Sequence, residues 1–490
     1  MKEIYSKSKR GFVWTVMSSG LKTGLGLLTI FVLTHFLGVE GVGMISILTV
    51  VHGFSETFVK FGVSQSIISR KEITKNELTS IFWVNLFIGV LVFVCINLLA
   101  EQIANFYEQK ELYFYIRLLS FVFLIEPMSL IFRAILEKEL EFPKLEKVNI
   151  LKSVVMSVMT ILLVLLGLGI SSYIYGIILS TLISILAFLL IFAKSKLWFP
   201  SFHFNLQEVK GHYKFGVYVT GRSFFNYLGY HFDELIIGKT LGIEALGIYY
   251  FAKKLLSQVV QLLISSFNKI SFPFFAKLKS DIFKFKKAYL NLTEFFASWS
   301  FFFFILVILA SPYIISMFWG EQWEKSIFLV QIFALLSILQ VLSNGFAPPA
   351  LYVFNQPKQV FIIDLVITPL RLFLIFFASL VSIELVAITL FLTVLIKVGW
   401  LQTEVNKKLK MSFKEYFSKL KIPFENALLS LIFYFITFFV LNIFDIRMLE
   451  ILSICTFILL YVFLFFKRDR GNYAFVKGEI INLVLYKKNA

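Results

Sequence analysis

The sequence predicts an all-α integral membrane protein of about fourteen transmembrane helices, built as two repeated six-helix bundles and a C-terminal helix pair. Three observations predict it. The 490 residues are 58% hydrophobic and 16% charged, with a mean hydropathy of +0.83, whereas a water-soluble domain is about one quarter charged. Too few polar groups exist to cover an aqueous exterior, so lipid is the solvent. Apolar runs of about 20 residues, the length that crosses a hydrocarbon core, recur from end to end. Finally, LGVEGVG at 37–43 returns as LGIEALG at 241–247, and EFPKLEK at 141–147 has a counterpart, NQPKQVF, at 355–361.

A backbone in hydrocarbon must satisfy its own hydrogen bonds, so runs of this length are helices. The expected spans in the first half are 12–37, 42–68, 78–100, 112–134, 149–169, 173–193 and 215–238. Those in the second half are 245–271, 288–310, 327–353, 359–380, 385–405, 424–443 and 448–466. MKEIYSKSKR opens like a signal peptide, but the apolar stretch behind it runs from Phe12 to about Leu37 without a small-residue cleavage site. It is therefore read as a retained first helix. Pro127, Pro348, Pro349 and Pro369 are expected to interrupt spans four, ten and eleven, because proline removes an intrahelical bond. Gly20 and Gly24 form a small-xxx-small pair suited to close helix packing. Cys95 and Cys455 lie within spans and are expected to be buried, with no disulfide or metal site.

Orientation follows from where Lys and Arg fall. With the N-terminus in the cytoplasm, the inside connections and both termini hold 32 of the 47 basic residues and the outside connections four: Lys110, Lys239, Lys325 and Arg447. Both termini are thus expected to be cytoplasmic. Basic loops against anionic lipid also account for the net charge of +17 without nucleic acid. The seven-residue phrase sits at the outside turn between odd and even helices in both copies. The Pro143 and Pro357 motifs sit inside, after helices four and ten. Six helices are therefore followed by six more in the same orientation, a plan known in transporters. The expected divisions are 1–204, 205–410 and 411–490.

Ionised residues within a span are costly and mark function. Lys22, Lys60, Arg222, Lys253, Lys254, Arg371 and Lys397 fall near the middles of spans, whereas Arg117, Arg133, Lys152 and Lys269 fit helix ends. The acids are Glu56, Glu126, Asp233, Glu234, Glu294, Asp364 and Glu404. A cationic surplus predicts a wet cavity for an anionic substrate; static ion pairs that fix helix packing are the alternative. His52, Glu56 and Lys60 stand at i, i+4 and i+8 on one helical face. His231, Asp233 and Glu234 cluster in HFDE at 231–234, where carboxylates suit a coupling Na⁺ or H⁺ or, alternatively, a solvated helix end. No P-loop, HExxH or CxxC motif occurs, so no catalytic, metal or cofactor site is expected.

LGVEGVG, RAILEKELEFPKLEK at 133–147, FPFFAKLKSD at 272–281, MFWGEQWEKS at 317–326 and NQPK at 355–358, in that order at those helix junctions, resemble the polysaccharide transporter (Wzx-type) branch of the multidrug/oligosaccharidyl-lipid/polysaccharide (MOP) superfamily. The resemblance implies a flippase that carries an undecaprenyl-diphosphate-linked oligosaccharide to the outer leaflet of a bacterial plasma membrane, by alternating access coupled to an ion gradient. It also implies partners in membrane lipid and in polysaccharide polymerase and chain-length machinery. Family cavities are basic in kind rather than by motif, which makes Lys22, Lys60, Arg222, Lys253, Arg371 and Lys397 candidate substrate residues. His52, Glu56, Asp233 and Glu234 are the candidate coupling residues. A lipid II flippase shares this outline. A polymerase or ligase acting on the same carrier would need a large outside loop, and the longest here is about 15 residues, near the upper end of ordinary connections.

Overall fold

A computed structural model describes residues 2–70, 72–195, 198–443 and 449–468. Lys71, Lys196, the connection with Arg447, and the basic tail beyond Arg468 lie outside the described residues. All described elements are helical. Helix α1 (Lys2–Lys60) contains the first two expected spans as two arms, separated by one non-helical residue, Gly38, at φ 64° and ψ −172°. The chain reverses there. Lys22 on the first arm reaches Glu146 near the start of α7 (Phe142–Leu165), and Lys152 on α7 acts on His52 of the second arm. Gly41, beside the turn, instead lies against Ile170 beyond the far end of α7.

After α2 (Val63–Ser69) and α3 (Lys75–Phe106), the fourth expected span is broken into α4 (Glu111–Ser120), α5 (Val122–Ile125) and α6 (Pro127–Lys138). The bend at Pro127 is 45°. Following α7, α8 (Ser171–Ser195), α9 (Leu206–Thr240), α10 (Gly242–Leu278) and α11 (Ile282–Trp319), the tenth span is likewise divided, into α12 (Ser326–Asn344) and α13 (Ala347–Val353), ahead of Pro348 and Pro349. Pro369 does not interrupt its span: α14 (Pro357–Ser379) runs through it. A spanning helix tolerates such a residue where local adjustments satisfy the freed carbonyl. The chain closes with α15 (Ile383–Leu409), α16 (Phe413–Ile443) and α17 (Leu449–Arg468).

Among the described residues, ten helices are long and apolar enough to cross a membrane, or eleven with the bent pair counted as one. The expected fourteen differ from this for two reasons. Helix α1 holds two spans in one element, and α9 and α10, at 35 and 37 residues, are long enough but are not among the helices apolar enough to qualify.

The proline motifs fold alike. Before Pro143 and Pro357, Leu140 and Asn355 both adopt φ 57°. The next residue donates back five positions in each case, Glu141 N to Leu136 O and Gln356 N to Leu351 O, both at 2.9 Å. This is a Schellman turn, and leucine is an uncommon residue in its left-handed position.

By packing the chain divides into two compact units, Met1–Phe251 and Ala252–Ala490, with the boundary inside α10. In the first, α7 lies between α1 and α8, and α9 runs along α1 while touching α2 and α3. Lipid supplies no hydrophobic drive between helices, so close approach of small residues matters. Gly20 and Gly24 do not provide it, for a Cβ on either would meet nothing within 4 Å. The close approaches are further along: a Cβ on Gly53 of α1 would strike the Tyr227 ring, and one on Gly62, just ahead of α2, would come within 3.0 Å of Gly216 Cα. In the second unit α11 packs on α12, α16 and α17, and α15 on α12 and α14. The final pair buries Phe457, Tyr461 and Phe465 against Phe301 and Phe302, and the Tyr461 hydroxyl donates to the Ser298 carbonyl at 2.5 Å. Cys95 and Cys455 are free and exposed on the helix surface, not buried as expected. As small apolar groups they suit lipid as well as a core.

Candidate functional site: a charged seam in the first unit

The first unit places a line of ionised side chains between α1, α6 and α7. Lys22 Nζ lies 3.0 Å from Glu146 Oε2, which also accepts from Asn149 at 3.3 Å. Asn149 accepts from Arg133 at 2.8 Å, and Arg133 Nε stands 3.7 Å from Glu137. Lys60 pairs with Glu56 at 2.5 Å. Lys60 also acts electrostatically on Glu137 and Glu126, which ties the two ends of the line together. The Glu56 carboxyl interacts with that of Glu126, and His52 stacks on Phe123 with its Nε2 3.9 Å from Glu126 Oε2. Both of those atoms are buried without a hydrogen-bond partner among the described residues. Lys152, half-buried, acts on His52 and Glu126 and has no direct ion pair among the described residues.

Local sequence explains the assembly. Spacing by four puts His52, Glu56 and Lys60 on one face of α1, as expected. Glu126 enters because Pro127 breaks the fourth span directly after it. The expected boundaries leave Glu146 in an inside loop, but α7 begins at Phe142, with Pro143 in its first turn, and so carries Glu146 and Asn149 on helix. The expected surplus of cations is therefore largely matched here: four cations, Lys22, Lys60, Arg133 and Lys152, face four acids, Glu56, Glu126, Glu137 and Glu146. Arg222 on α9 is exposed and makes no ion pair among the described residues. In the second unit Lys397 pairs with Asp364 at 2.7 Å, while Lys253 on α10 and Arg371 on α14 are half-buried. Glu294 there is buried against Lys419 at 2.8 Å.

A second polar cluster gathers at the turn joining α9 to α10. Asp233 and Glu234 are only 4% and 2% exposed, so HFDE is not a solvated helix end. Asp233 accepts from the Tyr249 hydroxyl at 2.5 Å; Glu234 accepts from Ser46 at 3.2 Å and lies 3.2 Å from His231 Nδ1. The His231 ring stacks on Tyr227, whose hydroxyl donates to the carbonyls of Thr49 and Val50.

A third cluster ties the start of α9, ahead of its expected span, to α2 and α3. His212 is buried between Ser66 at 2.7 Å and Glu77 at 3.3 Å, and Arg70 binds Glu77 at 2.6 Å. Burial pushes the His212 imidazole below its ordinary range, and the Arg70 charge pushes it the same way.

A family profile described as "Polysaccharide biosynthesis protein" matches residues 32–328. The teichuronic acid biosynthesis protein TuaB of Bacillus subtilis (strain 168) is 30% identical over 291 residues, which cover 59% of this chain and 60% of TuaB. The lipopolysaccharide biosynthesis protein WzxC of Escherichia coli (strain K12) is 26% identical, covering 69% of this chain and 68% of WzxC. Among solved structures, the lipid II flippase MurJ in an inward closed conformation has a TM-score of 0.70 at 15% identity, over 94% of this chain and 99% of that one. An inward-facing multidrug resistance MATE family transporter of the MOP superfamily has a TM-score of 0.62 at 13% identity, covering 79% and 95%. The fold is of that superfamily's kind.

Proposed function

This chain belongs to the polysaccharide biosynthesis protein family, and from that premise we propose that it is a flippase for undecaprenyl-diphosphate-linked oligosaccharide. The glycan moves from the inner to the outer leaflet of a bacterial plasma membrane and feeds surface polysaccharide synthesis. The chain performs no covalent chemistry in this reading. Both termini face the cytoplasm, and fourteen spans result when each arm of α1, α9 and α10 is taken to cross. The two six-helix repeats supply the alternating states, and the α16–α17 pair is an addition to the second. Polymerase and chain-length machinery would receive the product.

The charged seam carries the reading. A diphosphate is a dense anion that Lys and Arg bind well, and Lys22, Lys60, Arg133 and Lys152 stand on three adjoining helices with acids already beside them. Such pairs hold the cations ready and can exchange a carboxylate for a phosphate without stranding a charge in lipid. Arg222 is free to meet the diphosphate first. Lys253, Arg371 and Lys397 are further candidate contacts in the second unit. His52 and Glu56, with Glu126 added, and Asp233 with Glu234, are the candidate coupling groups. A ligand shifts states only through unequal affinity for them, and exchange of seam partners supplies that inequality.

A lipid II flippase is the second reading, favoured by the extent of the fold match to MurJ. Proteoliposomes loaded with a short lipid-diphosphate oligosaccharide, and separately with lipid II, test both. Arrival of the unaltered oligosaccharide in the opposite leaflet supports the first. Movement of lipid II alone supports the second, and elongation of the glycan would refute both.

A further inference from the structure

We propose that the two copies of the seven-residue phrase form a closure joint that parts once in each transport cycle, with Gly43 and Gly247 positioning the two faces. The inference rests on the transport reading above. Position by position the copies do the same work. Their first glycines, Gly38 and Gly242, take φ 64° and 87° and reverse the chain. Two residues on, Glu40 and Glu244 are exposed in the opening turn of the next helix segment, where an acid suits the helix dipole. The remaining identities face each other. A Cβ on Gly43 would fall on the carbonyl oxygen of Ile243 and 2.7 Å from its Cγ2. A Cβ on Gly247 would fall on the carbonyl oxygen of Val39 and 3.1 Å from Gly43 N.

Val39 and Ile243 are themselves equivalent positions, so the last glycine of each copy receives the third residue of the other. Such reciprocity, i on j and j on i, is the mark of a two-fold contact, and it explains why both ends of the phrase persist in both copies. The contact is also built to separate. It is backbone against backbone, flanked by buried Val42 and Leu246. Among the described residues no hydrogen bond or ion pair joins the two phrases. The hydrogen bonds nearby are long, Ser46 to Glu234 at 3.2 Å, Thr49 to Tyr250 at 3.4 Å, and Tyr227 to Thr49 and Val50 at 3.3 and 3.1 Å, and the ion pair nearby, Lys239 with Glu108 at 2.9 Å, is exposed. Parting across the phrases separates apolar backbone surfaces, and Lys239 and Glu108 are exposed enough to meet water if their pair opens. It also moves Ser46 away from Glu234, which links the joint to a candidate coupling carboxylate.

The test uses full-length protein with Cys95→Ser and Cys455→Ser. Val39→Cys is 7% exposed as valine and reacts with a water-soluble thiol reagent only when the joint is open. Gly43→Ala and Gly247→Ala, each a methyl wedge between two backbones, are expected to raise that rate alike, by about tenfold or more given the usual cost of overpacking. Gly20→Ala and Gly24→Ala, whose added methyls meet open space, leave it unchanged. Val39→Cys with Ile243→Cys keeps both glycines, so it decides the matter even where a wedge prevents folding. A short cleavable crosslink between them is expected to arrest glycolipid movement, and cleavage to restore it. Movement at the same rate with the crosslink in place would overturn the joint, as would unchanged labelling in folded wedge variants. Labelling as expected without any glycolipid movement, crosslinked or free, would instead sink the transport reading and leave the joint standing.

Discussion

Lys22 and Glu146 offer a way to separate the structural from the functional part of the seam. Glu146 has 8% of its side chain exposed and Lys22 has 33%, and the pair is 3.0 Å apart. Removing one partner of a fully buried pair costs about 3–5 kcal/mol, whereas an exposed pair contributes under about 1 kcal/mol. With Lys22 able to reach water and Asn149 sharing Glu146, the expected coupling is about 1–2 kcal/mol. The measurement is a double-mutant cycle of Lys22→Met, Glu146→Gln and the two together, on unfolding of detergent-solubilised protein. The fourth variant is the exchange, Lys22→Glu with Glu146→Lys. It restores the pair, and hence most of the stability, but moves the cation from α1 to α7. If Lys22 serves only to hold α7, the exchange variant moves glycolipid normally. If it meets the diphosphate, movement stays impaired about 10- to 100-fold at restored stability, the worth of one charged hydrogen bond. Additive effects of the single variants on stability would refute the pairing itself. Normal movement in all four variants would remove Lys22 from the mechanism.

Arg222→Ala should impair export by a similar 10- to 100-fold while folding and insertion persist; normal export at matched protein level would strike it from the candidates. Stability should fall with pH through His212. Burial and the Arg70 charge make its imidazole harder to protonate in the fold than in the unfolded chain, so stability present above 6.5, its ordinary value, is lost as pH drops below it. Thermal unfolding of wild type and His212→Gln across that range checks this: the variant's curve should be flatter, and parallel curves would exclude the residue. Tyr249→Phe should cost about 1–3 kcal/mol by removing the donor to buried Asp233, with Tyr249→Phe/Asp233→Asn recovering part of it; an unfolding midpoint equal to wild type would show that the bond carries no net stability.

The spans were legible because length and apolarity report directly on the solvent. Phe142 to Leu165 shows the limit: periodicity cannot say whether a helix starts at the hydrocarbon edge or about two turns earlier, and that interval holds Glu146. Pairings were illegible for a related reason. The His52–Glu56–Lys60 spacing is local and readable, but Glu126 and Arg133 join it only through the folding of a broken helix onto α1. The glycines show the same division. Gly20 and Gly24 have the spacing of a packing pair and face nothing within 4 Å, whereas Gly43 and Gly247 are 204 residues apart and nearly touch. Repetition of the phrase marks equivalent turns in the two halves, but nothing in it says that the turns meet.

The one-residue turn at Gly38 has a bearing on biogenesis. A loop of ordinary length lets the first helix settle in the bilayer before the second follows it. A turn of one residue leaves no slack for that order, so both arms of α1 must leave the translocon as a single hairpin. The α9–α10 turn, only Leu241 between its helices, imposes the same rule on two helices whose ionised groups would insert poorly alone. At the second turn, Tyr249 on α10 already brings buried Asp233 on α9 its donor.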